Sequence, residues 1–340
     1  MAITLPLPAY GADRTGLVCG FVFSADTPGR SIGSADALAW MHANSAGVGD
    51  EFAWLHFDLA GAGTENWFRE HLALPDPFYE ALHEGTRSTR IEYADESLIA
   101  VVNDVLFDFS FGASDIATLW LCVSDRAIVS ARRKPLRSLD RLRVSVRQGA
   151  AFRSPVAILV HLLRDQGEVL VQIVRDATAR VDRIEDSLLA DRLETRRIDL
   201  GALRRVLVRL QRLLAPEPAA LFRLLTRPPA WIADADVQEL RAATEEFSVA
   251  LNDMSALLER IKLLQEEIAA QVNQQNNRSL FLLTVFTVIA LPINIIAGLF
   301  GMNVGGIPLN QDERGFWTIV AIVLAFTLPA LWVVLRRRRD

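Results

Sequence analysis

The chain has 340 residues, of which 51% are hydrophobic, and its formal net charge is −5 at pH 7. This charge argues against a nucleic-acid partner, because binding to phosphates needs a basic face. Its two cysteines, Cys19 and Cys122, lie far apart in apolar contexts, so we expect buried reduced thiols of a cytoplasmic domain rather than a thiolate metal site. The first residues lack the basic and apolar regions of a signal peptide, and none is expected.

The first part of the chain, 1–153, predicts a cytoplasmic α/β domain with a mixed or antiparallel sheet. Runs rich in Val, Ile, Phe and Trp predict strands or hairpins at Leu17–Ser24, Phe52–Leu59, Arg90–Phe109 and Thr118–Arg132. Short helices are predicted at Ala35–His42, Glu65–Leu72 and Pro75–His83. Thr64 is expected to cap the second of these helices.

A change of composition at Arg153 marks the start of a helical hairpin region, 154–232. Pro155 suits the first turn of a helix, and many opposite charges follow at spacings of three and four residues. Helices are predicted over Pro155–Ala190 and Asp199–Leu214, with a break at Pro216 and Pro218.

A stalk helix is predicted over 233–278, where neither proline nor glycine occurs before Asn277. Its apolar residues follow a heptad pattern that needs a partner helix, either an earlier helix or a second copy of the chain. One position of the heptad holds Leu240, Phe247, Met254, Ile261 and Ile268. The other holds Thr244, Leu251, Leu258, Gln265 and Val272.

Two transmembrane helices are predicted at the C-terminal end, over 279–303 and 315–335. No charged residue occurs between Arg278 and Asp312, and about 20 apolar residues suffice to cross a bilayer. The stalk leads into the first span without a break, so one helix of about 70 residues is expected. A basic tail, 336–340, and Arg278 place both termini in the cytoplasm and the 304–314 loop in the periplasm. The arginine run is a topology anchor or a contact with inner-leaflet lipid.

One face of the first span collects most of its polar and small residues. Steps of three and four residues give Asn277, Leu280, Thr284, Thr287, Leu291, Asn294, Gly298 and Gly301. Two spans of one chain cannot enclose a hydrophilic path, so a pore would need this face from several copies. Periodicity alone leaves open whether the face lines a pore or packs against other helices. The second span lacks such a face and is expected to contact lipid.

Gly301-Met302-Asn303 ends this first span and resembles the motif of the CorA family of divalent-cation transporters. The resemblance extends to Phe52–Asp58, which looks like the family's tryptophan-bearing strand, and to Arg90–Val102, the stalk, the short outer loop and the basic tail. The loop Val304-Gly305-Gly306-Ile307-Pro308 resembles the ZntB zinc-transport branch and departs from the acidic loop of the magnesium branch.

This resemblance implies a homopentameric funnel with a pore lined by the first span. It implies a ring of Asn303 at the outer mouth, with Met302 in the motif beside it. A second polar ring falls at Asn294, narrow apolar positions at Leu291 and Leu280, and the inner mouth at Asn277. The polar face found from periodicity contains the last four of these residues.

Neutral amide oxygens at these rings favour a hydrated cation bound through its waters, since a small divalent ion loses its water reluctantly. The cargo is a divalent cation, zinc first, and no further cofactor is expected. Direct zinc ligation would need imidazole or thiolate, and the predicted pore face has neither. The zinc assignment therefore comes from the resemblance alone.

The resemblance to the zinc branch also allows proton coupling. No ionisable residue lies within the predicted span, so coupling groups would lie elsewhere. Asp312 and Glu313 either attract cations to the outer mouth or are ordinary loop charges. His71 and His83 share a helical region as candidates for a regulatory metal. The stalk acids Glu259, Glu266 and Glu267 either bind cations or pair with Arg260 and Lys262.

The sequence thus predicts a bacterial inner-membrane transporter of divalent cations, most specifically zinc. Two alternatives remain: a magnesium, cobalt or nickel transporter of the same family, and a membrane-anchored oligomeric sensor or scaffold. No phosphate loop, nucleophile elbow or metal-hydrolase motif is present, so an enzyme is not expected.

Overall fold

The computed structural model describes residues 11–24, 27–44, 50–61, 63–83, 89–112, 115–188, 193–302 and 314–336. The chain divides into two compact units, Met1–Leu263 and Leu264–Asp340. The first unit contains a seven-stranded sheet and the helices around it. The second contains the apolar helical segments.

The sheet has seven strands among the described residues: β1 Leu17–Phe23, β2 Arg30–Ile32, β3 Phe52–Asp58, β4 Arg90–Ala94, β5 Ser97–Val105, β6 Ile116–Val123 and β7 Ala127–Arg132. They lie in the order β2-β1-β3-β7-β6-β5-β4, and every neighbouring pair is antiparallel except β3 and β7, which are parallel. The predicted mixed sheet is therefore present.

Helices pack on the sheet and bury its central strands. All nine residues of β5 are buried, as expected for a strand whose two faces are both covered. One core contains Phe57, Phe68, Phe78 and Trp120, and the Trp120 indole donates to the carbonyl of Ala81 at 2.9 Å. The shorter helices are α1 Ser34–Asn44, α2 Thr64–His71, α3 Asp76–His83 and α4 Arg137–Arg147.

Thr64 does not cap α2 as the sequence predicts. The N-cap residue is Gly63, and Thr64 lies inside the first turn with its side chain buried. Its hydroxyl donates to the carbonyl of Asp58 at 3.0 Å. The hydroxyl therefore joins α2 to the end of β3, because a partner outside the helix lies within hydrogen-bond distance.

Three further helices follow: α5 Pro155–Leu188, α6 Leu193–Leu214 and α7 Pro216–Thr226. Pro155 begins α5, and Pro216 begins α7 rather than only ending the helix before it. Both prolines occupy positions where the missing N–H has no intrahelical partner to lose.

A single helix, α8, runs over Asp234–Phe300, and α9 spans Gly315–Arg336. The first heptad position is buried from Leu240 to Ile268. The second position departs from the pattern, since Gln265 and Val272 are only half-buried while Leu257 and Leu264 are buried. From Leu257 onwards the residue buried beside the first heptad position is thus one place earlier in the sequence, so the second position is not a strict seven-residue repeat.

Candidate pore-lining face

Part of α8 in the second unit is long and apolar enough to cross a membrane. Its most apolar 18-residue window has a mean hydropathy of 2.5, and none of that window is buried. In α9 the apolar stretch found within the described residues, Gly315–Pro329, is shorter. Large exposed side chains such as Phe286, Leu299 and Phe326 suit contact with hydrocarbon rather than water.

Each of these helices is partly covered along one stripe only. On α8 the half-buried residues of 279–300 are Val285, Ile289, Pro292 and Ile296. On α9 the covered residues before Pro329 are Gly315, Ile319, Val320, Val323 and Thr327. Spacings of three and four residues place each set on one face of its helix. We interpret the two stripes as the sides of one helix–helix contact.

The face predicted to line a pore is the uncovered side of α8. Leu280 is 61% exposed and Leu291 is 55% exposed, and Asn277, Thr284, Thr287, Asn294, Gly298 and Gly301 are exposed as well. At 100° per residue, the centre of this face lies about 150° from the centre of the covered stripe. The polar face is therefore available to other chains or to water, and Pro292 lies on the opposite side.

Both threonines of this face donate a hydrogen bond from their hydroxyl group to a backbone carbonyl of their own helix. Thr284 donates to the carbonyl of Leu280 at 2.8 Å, and Thr287 donates to that of Leu283 at 2.9 Å. A hydroxyl that donates its proton still has lone pairs that accept hydrogen bonds. Each threonine thus offers an acceptor, which suits the outward-pointing hydrogens of water around a cation.

Asn294 has no side-chain hydrogen bond within the part of the chain that the structure describes, and its side chain is exposed. An amide in this state is costly inside hydrocarbon, because its donors and acceptor lack partners. Its burial in a bilayer therefore requires water or polar partners other than the described residues of this chain.

The two glycines of the face differ in the space around them. The N–H of Gly301 donates to the carbonyl of Ala297 at 2.9 Å, and a Cβ at Gly301 would lie 2.9 Å from that same oxygen. A Cβ at Gly298 would meet no atom within 4 Å. Gly301 thus fits a tight helix end, whereas none of the described residues constrains the side chain at position 298.

Several predicted site residues lie outside the described residues. They are Asn303, Val304, Gly305, Gly306, Ile307, Pro308, Asp312 and Glu313. Met302, the last described residue before them, is 51% exposed.

The candidate regulatory metal ligands, His71 and His83, are not brought into a cluster. Among the described residues no group of three or more His, Cys, Asp or Glu side chains is arranged to hold a metal ion. His71 Nδ1 lies 3.1 Å from the carbonyl of Trp67, and His83 Nδ1 lies 2.7 Å from that of Tyr79. Each imidazole thus contacts its own helix through Nδ1, and His83 Nε2 also lies 3.3 Å from Glu65 Oε1 on α2.

The charges of the stalk pair in part as the sequence predicts. Lys262 lies 3.1 Å from Glu259 on the same helix. Arg260 instead binds acids of α5, lying 2.8 Å from Asp182 and also contacting Glu185. Arg260 therefore joins α8 to α5 rather than neutralising the stalk acids.

A mixed sheet domain, a long helix whose apolar end is long enough to cross a membrane and a second, shorter apolar helix point to a membrane protein. Residues 49–338 match the family described as CorA-like Mg2+ transporter protein. The chain belongs to this family, whose members transport divalent cations. Family membership also confirms that it is a transporter and not an enzyme, with the transported cation as its cargo.

Relatives of known name support this assignment. The chain is 27% identical to the divalent cation transporter CmaX of Pseudomonas aeruginosa, over 98% of this chain and 99% of that one. It is 23% identical to the zinc transport protein ZntB of Yersinia enterocolitica, over 78% of this chain and 81% of that one.

Solved structures agree with the fold. The full-length CmaX structure has a TM-score of 0.77 at 25% identity and covers 97% of this chain and 100% of its own. The CorA magnesium transporter of Methanocaldococcus jannaschii has a TM-score of 0.73 at 16% identity, covering 92% and 96%. The predicted family and the CorA-like fold are thereby confirmed.

Proposed function

We propose that five copies of this chain form a pore for divalent cations, with zinc as the preferred ion, in the inner membrane of a bacterium. The observation that carries the proposal is the uncovered polar face of α8. It is turned about 150° away from the stripe assigned to α9, so identical faces from several chains can surround one axis. The number five rests on the family resemblance.

A hydrated divalent cation suits the groups of this face. Zinc and magnesium ions hold their water firmly, and the bound water presents hydrogens outward. The hydroxyl oxygens of Thr284 and Thr287 and the amide oxygen of Asn294 accept hydrogen bonds from such water. Leu280 and Leu291 lie between the polar levels and form apolar constrictions in the pore.

Both ends of the path extend this arrangement. Asn277 would form the inner mouth, and Asn303 with the loop 304–308 would form the outer mouth, with Asp312 and Glu313 raising the local cation concentration. The positive-inside rule places both termini in the cytoplasm and this loop in the periplasm.

Zinc is proposed because the loop after Met302 resembles the zinc branch and because a zinc transporter is among the relatives. The family description and the relative named only as a divalent cation transporter favour a broader or magnesium-centred range as the alternative. Coupling of transport to protons is part of the proposal for zinc, because it comes from the same resemblance to the zinc branch. The alternative of a scaffold that only oligomerises predicts no flux at all.

Flux into liposomes containing the purified full chain tests these proposals. Dyes for zinc and for magnesium are compared under the same membrane potential, with and without a pH gradient. Zinc flux that depends on Asn294 supports the proposal, whereas robust magnesium flux without zinc flux contradicts the zinc assignment. Absence of flux of any divalent ion contradicts the pore, and a native mass of one or two chains contradicts the shared axis.

A further inference from the structure

Three buried carboxyl groups lie between the sheet and its helices, in the unit that does not contain the proposed pore-lining face. Asp104 on β5 is 3% exposed and Glu217 on α7 is 2% exposed. The side chain of Asp165 on α5 is 14% exposed. All three belong to the unit Met1–Leu263.

Glu217 lines a small cavity that contains almost no polar group able to stabilise a negative charge on its carboxyl. The cavity has a volume of about 10 Å3, close to the least that one water needs. Its lining is apolar except for Gln166 and Glu217, and the Oε2 atom of Glu217 has no hydrogen-bond partner. Burial, together with the charge of Asp104, raises the pKa of Glu217 well above its usual range. Burial therefore favours the neutral, protonated form of the Glu217 carboxyl.

Asp104 fixes the start of α4. Its carboxylate accepts hydrogen bonds from the Ser138 hydroxyl at 2.9 Å, the Ser138 N–H at 3.1 Å and the Val105 N–H at 2.8 Å. Burial nevertheless raises the pKa of Asp104 to about 6, against these bonds and the nearby charge of Arg137. A group that caps a helix thus changes its charge near physiological pH.

Asp165 faces charges from α4, from its own helix and from the sheet. Burial raises the pKa of Asp165 to about 7, with Arg141 opposing the shift and Glu168 and Asp104 adding to it. His161 Nε2 lies 3.6 Å from its Oδ2, and burial lowers the pKa of that histidine, so it is neutral at pH 7. Asp165 thus lacks a full counter-charge in contact.

Hydrogen bonds connect these carboxyls to the packing of the domain. Gln166, next to Asp165, donates to the carbonyl of Asn103 at 3.2 Å, and Asn103 donates to the carbonyl of Leu213 at 3.4 Å. Asn103 and Gln166 also line a second cavity of about 10 Å3 beside Asp104. A change of charge here acts on β5, α5 and the end of α6 together.

We propose that Asp104, Asp165 and Glu217 form a proton-binding site of the sheet domain, whose occupancy sets how firmly α4 and α5 pack on the sheet. The site is separate from the proposed pore and does not depend on which ion is transported.

The direction of the effect follows from the raised pKa values. The folded domain binds more protons than the unfolded chain between the unfolded pKa, about 4, and the folded values near 6 and 7. This contribution to stability is complete below about pH 4 and is lost as the pH rises through 6 and 7. Hydrogen exchange in α4 and α5 should therefore become faster as the pH rises, after correction for intrinsic exchange.

The test uses the full chain in detergent. Infrared spectra at pH 7 should contain a protonated-carboxyl band that Glu217→Gln weakens, with the contribution of Asp165 remaining, while Glu80→Gln, which removes an exposed carboxyl on α3, leaves the band unchanged. Asp165→Asn should weaken the pH dependence of exchange in α4 and α5, and Glu80→Gln should not.

An infrared titration of the unaltered chain covers the case in which a variant does not fold. The protonated-carboxyl absorbance should decrease between about pH 5 and 8, as Asp104 and Asp165 lose their protons. Absence of any protonated-carboxyl band at pH 7 overturns the proposal. Equal pH dependence of exchange in Asp165→Asn and in the unaltered chain overturns it as well.

Discussion

The guanidinium of Arg153 donates two hydrogen bonds to the Oδ1 atom of Asp236, at 3.0 Å from Nε and 2.9 Å from Nη2. Asp236 is 3% exposed by its side chain and lies in the first turn of α8. Ser154 donates to the other oxygen at 2.6 Å. The two residues that precede α5 are thus hydrogen-bonded to the first turn of α8.

Replacing Arg153 should weaken this junction. Arg153→Ala leaves a buried carboxylate with Ser154 as its remaining side-chain donor, a loss of about 1–2 kcal/mol in the free energy of unfolding. The expected loss is small because Arg153 is 43% exposed and solvent screens its charge. Thermal unfolding of the full chain in detergent measures it, with Arg241→Ala, an exposed arginine of α8, as the control. Equal melting temperatures for the two variants would contradict a role of Arg153 in stability.

A larger loss of stability is expected from a substitution in the buried stripe of α8. Phe247 is 1% exposed, and Phe247→Ala should cost about 3–5 kcal/mol of unfolding free energy because a large cavity remains. Val249, two residues away, is 59% exposed, and Val249→Ala should change stability by less than about 0.5 kcal/mol. Denaturant unfolding of both variants gives the comparison. A small effect at Phe247 would show that this face of α8 is not a core.

How far the sequence predicts the structure depends on how local the signal is. The burial of Leu240, Phe247 and Met254 follows from a seven-residue repeat, which one stretch of sequence contains. The polar face through Thr284 and Asn294 also follows from periodicity, and the structure adds that this face is uncovered. Local patterns therefore predict which side of a helix differs from the others.

Contacts between distant segments were not predictable in the same way. Nothing near Glu217 in the sequence indicates burial except its position between two prolines at a helix start, and its neighbour Gln166 is about 50 residues away. Arg260 has acids nearby on its own helix, yet it binds Asp182 and Glu185 on α5. Tertiary packing selects among partners that the sequence offers equally.

Asn294 should matter for flux more than an apolar neighbour does. Asn294→Ala removes one acceptor for cation-bound water from each chain, and the loss of a single contact of about 1 kcal/mol already corresponds to about a fivefold loss of flux, so flux should fall by at least about fivefold. Ile293→Ala, on a different side of the helix, is the matched control and should retain flux. Liposome assays with a divalent-ion dye measure both. Equal flux in the two variants would remove Asn294 from the conduction path.

Leu291 should act as an apolar barrier. If its side chains narrow the pore, Leu291→Ala widens and wets the constriction and raises basal flux. Leu282→Ala removes the same side chain on another face, where the leucine is 49% exposed, and should leave flux unchanged. An increase in both variants would indicate general loosening of the helix instead of a constriction at Leu291.

The two glycines near the end of α8 should respond differently to one added methyl group. Gly301→Ala places Cβ 2.9 Å from the carbonyl of Ala297, so the helix end must shift even in an isolated chain. Gly298→Ala meets no atom within 4 Å, so the single chain tolerates it, and an effect would arise where copies approach each other.

Native mass measurement and thermal unfolding in detergent separate these cases. Gly298→Ala should reduce the oligomer fraction without lowering the stability of the sheet domain, whereas Gly301→Ala should reduce flux with the oligomer retained. An intact, fully active oligomer with Gly298→Ala would show that this position is not at an interface between chains.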